Sequence, residues 1–265
     1  MNKELNSAIK SVIKASQALS KQIDYNSKKT VNCTKEDSSS KDIKLSDDFK
    51  MHNLIKEMLS ETGVEVFGEE EKFNDRNLPN RYWLIDGLDG SFNFDRGIPF
   101  YAISVALVIN ESEKLGIIYD LSNKNIYHTD GKNAYKNDKK FTMSYSRKSI
   151  KQACIATGFP VKFNKNEKYA DFLIELVHEC RKVRMFGCAS QSILFVAQGI
   201  IDIYYEENIF IWDVAGALAI AKASGCHVEK VRKSNCVYSI LVTGSKDMLN
   251  EVLNLRKEFY EMHKF

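Results

Sequence analysis

Proline is scarce in this 265-residue chain, with only Pro79, Pro99 and Pro160. No Pro-rich linker therefore divides it into tethered parts. No internal repeat is visible, which excludes solenoid and propeller arrays. No apolar run approaches membrane-spanning length, and the opening MNKELNSAIK lacks the apolar stretch of a signal peptide. The six cysteines (Cys33, Cys154, Cys180, Cys188, Cys226, Cys236) form no C-x-x-C pair, and the five histidines no H-E-x-x-H. Both absences weigh against a zinc enzyme. Without a secretory signal, a cytoplasmic protein with reduced thiols is expected, and Asn32-Cys33-Thr34 is an accidental match to a glycosylation pattern. A charge excess is missing too: 38 basic minus 35 acidic residues leaves +3, too little to imply nucleic acid. The basic clusters at 136–140 and 147–151 lack the interleaved aromatics of a nucleic-acid platform.

What remains is an ordinary globular composition, 44% hydrophobic and 28% charged, in a chain long enough to bury a large core. Leu5, Ile9, Val12, Ile13, Ser16 and Leu19 recur at helical spacing, predicting an amphipathic helix to about Ile23. Residues 25–44 are polar and read as a loop or weak hairpin. A second helix is expected from Ser46, turning Met51, Leu54, Ile55, Met58 and Leu59 inward. Tyr82–Ile85, Tyr101–Ile109, Leu115–Tyr119 and Asn125–His128 then read as strands, with hairpin turns at Asp130-Gly131 and Asn137-Asp138. The second half alternates: strands at 153–157, 182–186, 201–205 and 237–243, helices at 166–180, 190–198, 212–224 and 247–262. Alternation of this kind indicates an α/β layer. A boundary near 145 divides an N-terminal α+β region, 1–145, from a C-terminal α/β region, 146–265.

The most informative stretch is Trp83-Leu84-Ile85-Asp86-Gly87-Leu88-Asp89-Gly90-Ser91-Phe92-Asn93-Phe94. An apolar strand delivers two aspartates into what reads as a glycine turn. Carboxylates aimed at one point repel unless a hard cation lies between them, and Mg²⁺ takes such oxygen ligands; the blander reading is a decorated turn. Two further acids stand at element edges. Glu69 and Glu70 follow the β-prone run Val64–Phe67, and singly Glu69-Glu70-Glu71 reads as a solvated acidic turn. Asp213 opens a helix-like stretch and singly reads as a helix-start carboxylate.

Together these segments resemble the inositol monophosphatase family in order, spacing and flanking residues. That family carries Gly-Glu-Glu, then Trp-x-Ile-Asp-Pro-(Ile/Leu)-Asp-Gly-Thr-x-Asn-Phe, then Trp-Asp-x-Ala-(Ala/Gly). Ile-Pro-Phe-Tyr-Ala-Ile-Ser-Val-Ala at 98–106, Ala-Thr-Gly-Phe-Pro at 156–160, Arg-x-Phe-Gly-x-Ala at 184–189 and Asp-Ile-Tyr-Tyr-Glu at 202–206 extend the likeness over about residues 45–226. The resemblance implies a layered αβαβα sandwich of the inositol monophosphatase and fructose-1,6-bisphosphatase type. It also implies a Mg²⁺-dependent, lithium-sensitive phosphomonoesterase that acts by attack of an activated water.

By the same resemblance, Glu69, Asp86 and the Leu88 carbonyl hold a first Mg²⁺, and Asp86, Asp89 and Asp213 a second; a third ion near Glu69 is typical. Glu70 lies behind the ligands, and Glu71 has no counterpart. Ser91 and Glu69 orient the attacking water, and the N–H groups of Gly90 and Ser91 meet the phosphate. Glu206, Asp89, Asp213 and the backbone near Ala189 receive the substrate. Ser91 also reads as a helix N-cap, Glu206 as a strand-end surface acid, and Trp212 as packing. Phe92, Asn93 and Phe94 are expected to secure the helix base.

The chain departs from the family at Gly87, where relatives have proline, and at Ser91, where they have threonine. Gly87 is expected to loosen the turn, and Ser91 to lose the methyl that fixes its rotamer. Lys41 is a candidate for a lysine near the third metal. Trp212-Asp213 and Glu206 favour inositol monophosphate or a related polyol phosphate as substrate. The run at 96–101 also resembles sugar bisphosphatases, whereas Phe92-Asn93-Phe94 argues against the 3′-phosphoadenosine 5′-phosphate branch. Family members are usually homodimers, and some bacterial ones act through partners in RNA metabolism; neither nucleic acid nor membrane is an expected partner here.

Overall fold

The computed structural model describes residues 2–26, 46–70, 78–144, 147, 149–159 and 168–262. Lys41, Cys33, Glu71, Pro160 and residues 27–44 of the loop expected at 25–44 lie outside them, while residues 25 and 26 belong to the first helix instead. Helix α1 (Asn2–Asn26) aligns Leu5, Ala8, Val12 and Ala15 on one face. Helix α2 (Ser46–Ser60) adds Met51, Ile55 and Leu59. Both place apolar residues at the three-to-four spacing that makes one side of a helix greasy.

A seven-stranded sheet follows, its strands in spatial as well as chain order: β1 (Val66–Gly68), β2 (Arg81–Asp89), β3 (Ala102–Ile109), β4 (Ser112–Asp120), β5 (Asn125–Thr129), β6 (Ala134–Lys136) and β7 (Lys139–Phe141). Only β1 pairs parallel, with β2; the rest form antiparallel ladders. The expected turns are present. Asn137 and Asp138 both adopt left-handed backbone, and the Asp130 carboxylate accepts the N–H groups of Lys132 and Asn133. A five-stranded sheet runs in the order β11-β12-β10-β8-β9. It comprises β8 (Cys154–Ala156), β9 (Lys182–Arg184), β10 (Ile203–Phe210), β11 (His227–Ser234) and β12 (Val237–Thr243). Strand β11 was not expected from the sequence. It is an edge strand carrying Glu229, Lys230, Arg232 and Lys233, and charge hides the usual strand pattern while discouraging edge-to-edge pairing. The remaining helices are α3 (Ser91–Asp95), α4 (Tyr169–Glu179), α5 (Ala189–Ala197), α6 (Ile211–Ser224) and α7 (Lys246–Met262).

Three cores set the layer order. Trp83, Ile85, Val105, Leu107 and Ile117 face α1 and α2. Tyr82, Leu84, Ala106 and Ile118 alternate with them and face α5, α6 and the second sheet. Ile155, Ile203, Tyr205 and Leu241 point outward beneath Phe172 of α4 and Met248, Val252 and Phe259 of α7. The result is αβαβα, as expected. A sheet buried on both faces needs apolar residues at successive positions, which explains the unbroken run Tyr82–Ile85.

Helix α6 is the inner layer and apolar all round: Val214, Ala215, Ala217, Leu218, Ile220 and Ala221 are all buried. It lies so close to β4 that a methyl group at Gly116 would collide with the carbonyl oxygen of Gly216. Buried Glu113 on β4 binds Lys222 of α6 and Lys230 of β11, each at 2.6 Å. Burial opposes its ionisation, but the two ammonium groups outweigh that and hold its carboxyl below the ordinary value. This triad ties both sheets to the central helix.

Replacing Gly116 with alanine is expected to destabilise the protein by about 1–3 kcal/mol, the usual cost of overpacking. Urea unfolding measures it; an unchanged midpoint would show that α6 is free to move off the sheet.

Candidate active site

Strand β2 does not end where its aspartates begin. Asp86 and Asp89 are strand residues, not turn residues as the sequence suggested. Asp86 pairs with Ser104 and Asp89 with Ala102, so three steps on β2 match two on β3. Residues directly opposite in a ladder share a face, and strand side chains alternate. Acids three apart would therefore point to opposite faces of a regular strand. The extra residue of the bulge turns both toward the inner face, where Ser104 donates its hydroxyl to the Trp212 carbonyl at 3.2 Å. Gly87 lies in this bulge. A Cβ there would stand 3.0 Å from the Asp48 carbonyl oxygen of α2. Gly87 therefore admits a close helix rather than loosening a turn.

Gly90, left-handed at φ 90°, follows and is the N-cap of α3. Ser91 is consequently the first helical residue, not the cap. Phe92 is half-exposed, with Arg96 over its ring, so it does not secure the helix base. Asn93 does: its Nδ2 donates to the carbonyls of Phe100 at 2.8 Å and Phe186 at 2.7 Å. Phe94 packs edge-on against Tyr101.

Across the cleft, α5 starts at Ala189 without a side-chain cap of its own. Asp89 supplies one from the other sheet. Its Oδ1 accepts the Ala189 N–H at 3.2 Å, and its Oδ2 the Ser190 N–H at 2.7 Å, the Ser190 hydroxyl at 2.5 Å and the Cys188 thiol at 3.0 Å. The first amides of a helix have no partner within it, and their partial positive charge suits a carboxylate. Asp213 stands in the first turn of α6. Glu206 comes from β10, where a second bulge, with Asn208 left-handed, puts Glu206 and Ile209 opposite Ile240 and Tyr238. Its carboxylate accepts the Tyr204 hydroxyl at 2.8 Å. Glu69 and Glu70 sit in the turn after β1. Trp212 stacks on Phe210 at 4.6 Å, as packing.

Asp89, Gly187, Ala189, Tyr204, Glu206 and Asp213 share a cavity of about 410 Å³ with Gly158, Phe159 and Met185. The acids raise one another's pKa. Burial lifts Asp86 well above the ordinary aspartate value, and Glu69 and Asp89 add to it. Burial does the same to Asp213, followed by Asp86, Asp89, Glu69 and Glu206. Asp89 is lifted by burial, while the bonds from Cys188, Ser190 and Ala189 pull it back. Burial pushes Glu206 up to about 7, against the Tyr204 bond and with help from Asp89. An all-oxygen, all-acidic set of this kind fits a hard divalent cation. Among the described residues no three candidate ligands close on one point, and Asp89 is turned toward α5.

The sequence reading singled out Asp89, Ala189, Glu206 and Asp213, which border one cavity, and Asp86 and Glu69, which act electrostatically on Asp213. It missed Cys188, Ser190 and Tyr204. Ser190 was detectable as a hydroxyl at a helix start, beside the matched Ala189.

The model of the inositol monophosphatase family matches residues 1–258. Inositol-1-monophosphatase of Caulobacter vibrioides is 31% identical over 71% of this chain and 75% of its own length. Fructose-1,6-bisphosphatase/inositol-1-monophosphatase of Aquifex aeolicus is 30% identical over 75% of each. The solved inositol monophosphatase of Thermotoga maritima superimposes with a TM-score of 0.79 at 23% identity, covering 99% of both chains.

The raised acids give the metal-free protein a defined pH response. A carboxyl whose pKa is higher folded than unfolded stabilises fully below the unfolded value, near 4, and loses that stabilisation as pH rises through the folded value. For Glu206 the window runs up to about 7. Metal-free protein should therefore melt lower at pH 8 than at pH 5.5. Asp213→Asn should raise that pH 8 melting temperature by removing a repelling charge, and should weaken cation-induced stabilisation. Scanning calorimetry in chelator decides; a flat profile contradicts the mutual repulsion.

Proposed function

The chain belongs to the inositol monophosphatase family of phosphatases, and from that premise we propose that it hydrolyses inositol monophosphate or a related small polyol or sugar phosphate, with Mg²⁺ as cofactor. The observation that carries the reading is the convergence of acids from β2 and α6: Asp89 and Asp213 border one cavity, Asp86 and Asp89 raise Asp213, and Glu69 acts on both Asp86 and Asp213. Burial of such a group is costly unless a cation offsets it. The family is metal-dependent. Glu69, Asp86, the Leu88 carbonyl, Asp89 and Asp213 are the groups that would hold two to three ions. Bound there, Mg²⁺ supplies charge neutralisation for the phosphoryl group and makes water acidic enough to serve as nucleophile.

The chain's own residues have the other tasks. Glu69 and the Ser91 hydroxyl orient the water that attacks phosphorus. The Gly90 and Ser91 N–H groups face the phosphate, and only glycine at 90 adopts φ 90° at little cost. The water oxygen bonds to phosphorus as the P–O ester bond breaks; the attacking water gives up one proton and the departing alkoxide takes one up. Glu206, fixed by Tyr204, accepts a substrate hydroxyl. The cavity of about 410 Å³ accommodates a ring of sugar size. A cytoplasmic homodimer is the assembly this reading carries with it.

Phosphate release from inositol 1-phosphate, fructose 1,6-bisphosphate and 3′-phosphoadenosine 5′-phosphate, with and without Mg²⁺, tests the proposal. Inositol 1-phosphate should turn over best, only with Mg²⁺, and millimolar lithium should inhibit. Asp89→Asn should lower kcat/KM at least about a hundredfold, since even groups behind a metal's ligands cost up to that much. Faster turnover of the bisphosphate would reassign the substrate, and full activity of the variant would remove Asp89 from the metal site.

A further inference from the structure

Asp89 has been given two tasks, cation ligand and acceptor of a substrate hydroxyl. Four donors already hold its carboxylate. A carboxylate offers about four lone-pair directions, two on each oxygen. Oδ2 already takes three donors: the Ser190 amide at 2.7 Å, the Ser190 hydroxyl at 2.5 Å and the Cys188 thiol at 3.0 Å. Oδ1 takes one, the Ala189 amide at 3.2 Å. Oδ2 is crowded by its three donors, whereas Oδ1 holds only the one longer bond.

We propose that Ser190 is a positioning residue that locks the Asp89 carboxylate through Oδ2 and so leaves Oδ1, held only by the longer bond from Ala189, turned to the cation. The proposal rests on the reading of Asp89 as a metal ligand. Ser190 is fully buried, its hydroxyl lies closer to Asp89 than any other donor, and it stands on the helix that faces β2 across the cleft. A hydroxyl at 2.5 Å from a carboxylate is a charge-assisted bond, about twice as strong as a neutral one. The Cys188 thiol, a weak donor, adds less. Because the two donors of Ser190 come from one residue on a helix, they fix rotation of the carboxylate as well as its place.

The test titrates Mg²⁺ into the full chain by calorimetry and follows the Mg²⁺-induced rise in melting temperature, neither of which needs turnover. Ser190→Ala should weaken Mg²⁺ binding about tenfold or more, the usual effect of losing a group that orients a ligand. Ser190→Thr keeps the hydroxyl and should restore most of it, which a purely space-filling role would not do. Cys188→Ala should weaken binding less than Ser190→Ala. Metal-free melting curves confirm that each variant is folded. If wild type binds Mg²⁺ and Ser190→Ala binds it equally well, the proposal is overturned and the function stands. If Ser190→Thr fails to restore affinity in a folded protein, the hydroxyl is not the positioning group. A wild-type chain that binds no Mg²⁺ overturns the metal-site reading and this proposal with it.

Discussion

Like charges that act on one another in one cleft set the terms for the rest of the molecule. Asp86 and Asp89 are buried, Asp89 makes Asp86 harder to ionise, and both do the same to Asp213. Nothing about folding the chain favours this grouping by itself. The scaffold must therefore hold the acids in place against their own repulsion, and it does so with stiff parts. A strand bulge aims two of them, a helix start carries the third, and the amides of another helix grip Asp89. Strain of this sort is common at functional centres, where stability is given up locally and recovered in the surrounding core. Here the recovery comes from three apolar layers and from the Glu113 triad, which joins the sheets through α6.

Much of this was legible in the sequence, and the reasons differ by element. Helices α1 and α2 announced themselves by apolar spacing, and the hairpins by Asn-Asp and Asp-Gly turns. The acids were legible because their flanks are unusual: an apolar strand rarely carries two carboxylates at its end. The bulge was not, since Asp-x-x-Asp is equally compatible with a turn, and only the pairing of Asp86 with Ser104 and Asp89 with Ala102 distinguishes them. Gly87 misled for a related reason. Read along the chain, a glycine in place of proline means freedom; read across it, the missing side chain makes room for α2. Strand β11 escaped because its charges answer to its edge position rather than to a core.

Recognition across the cleft was the least legible part. Ser190 and Cys188 lie about a hundred residues beyond Asp89, and no local pattern connects them. The resemblance to a family pointed to Ala189 but could not say that its neighbours would occupy most of an aspartate's hydrogen-bonding capacity. Tyr204 was hidden by strand alternation: it shares a face with Glu206 only because β10 stays regular up to its bulge.

Helix α6 carries a consequence for how the protein comes into being. It fills the space between the sheets, yet its residues, 211–224, are made after the entire first sheet. Until they leave the ribosome, Leu84, Ala106 and Ile118 present an uncovered apolar face, the kind of surface that invites misassociation. A nascent chain must therefore spend the synthesis of residues 142–224 as a half-covered sheet, and the same helix that finally shields it brings in Asp213. Completion of the core and assembly of the acid cluster are one late event, so a prematurely terminated chain would lack both.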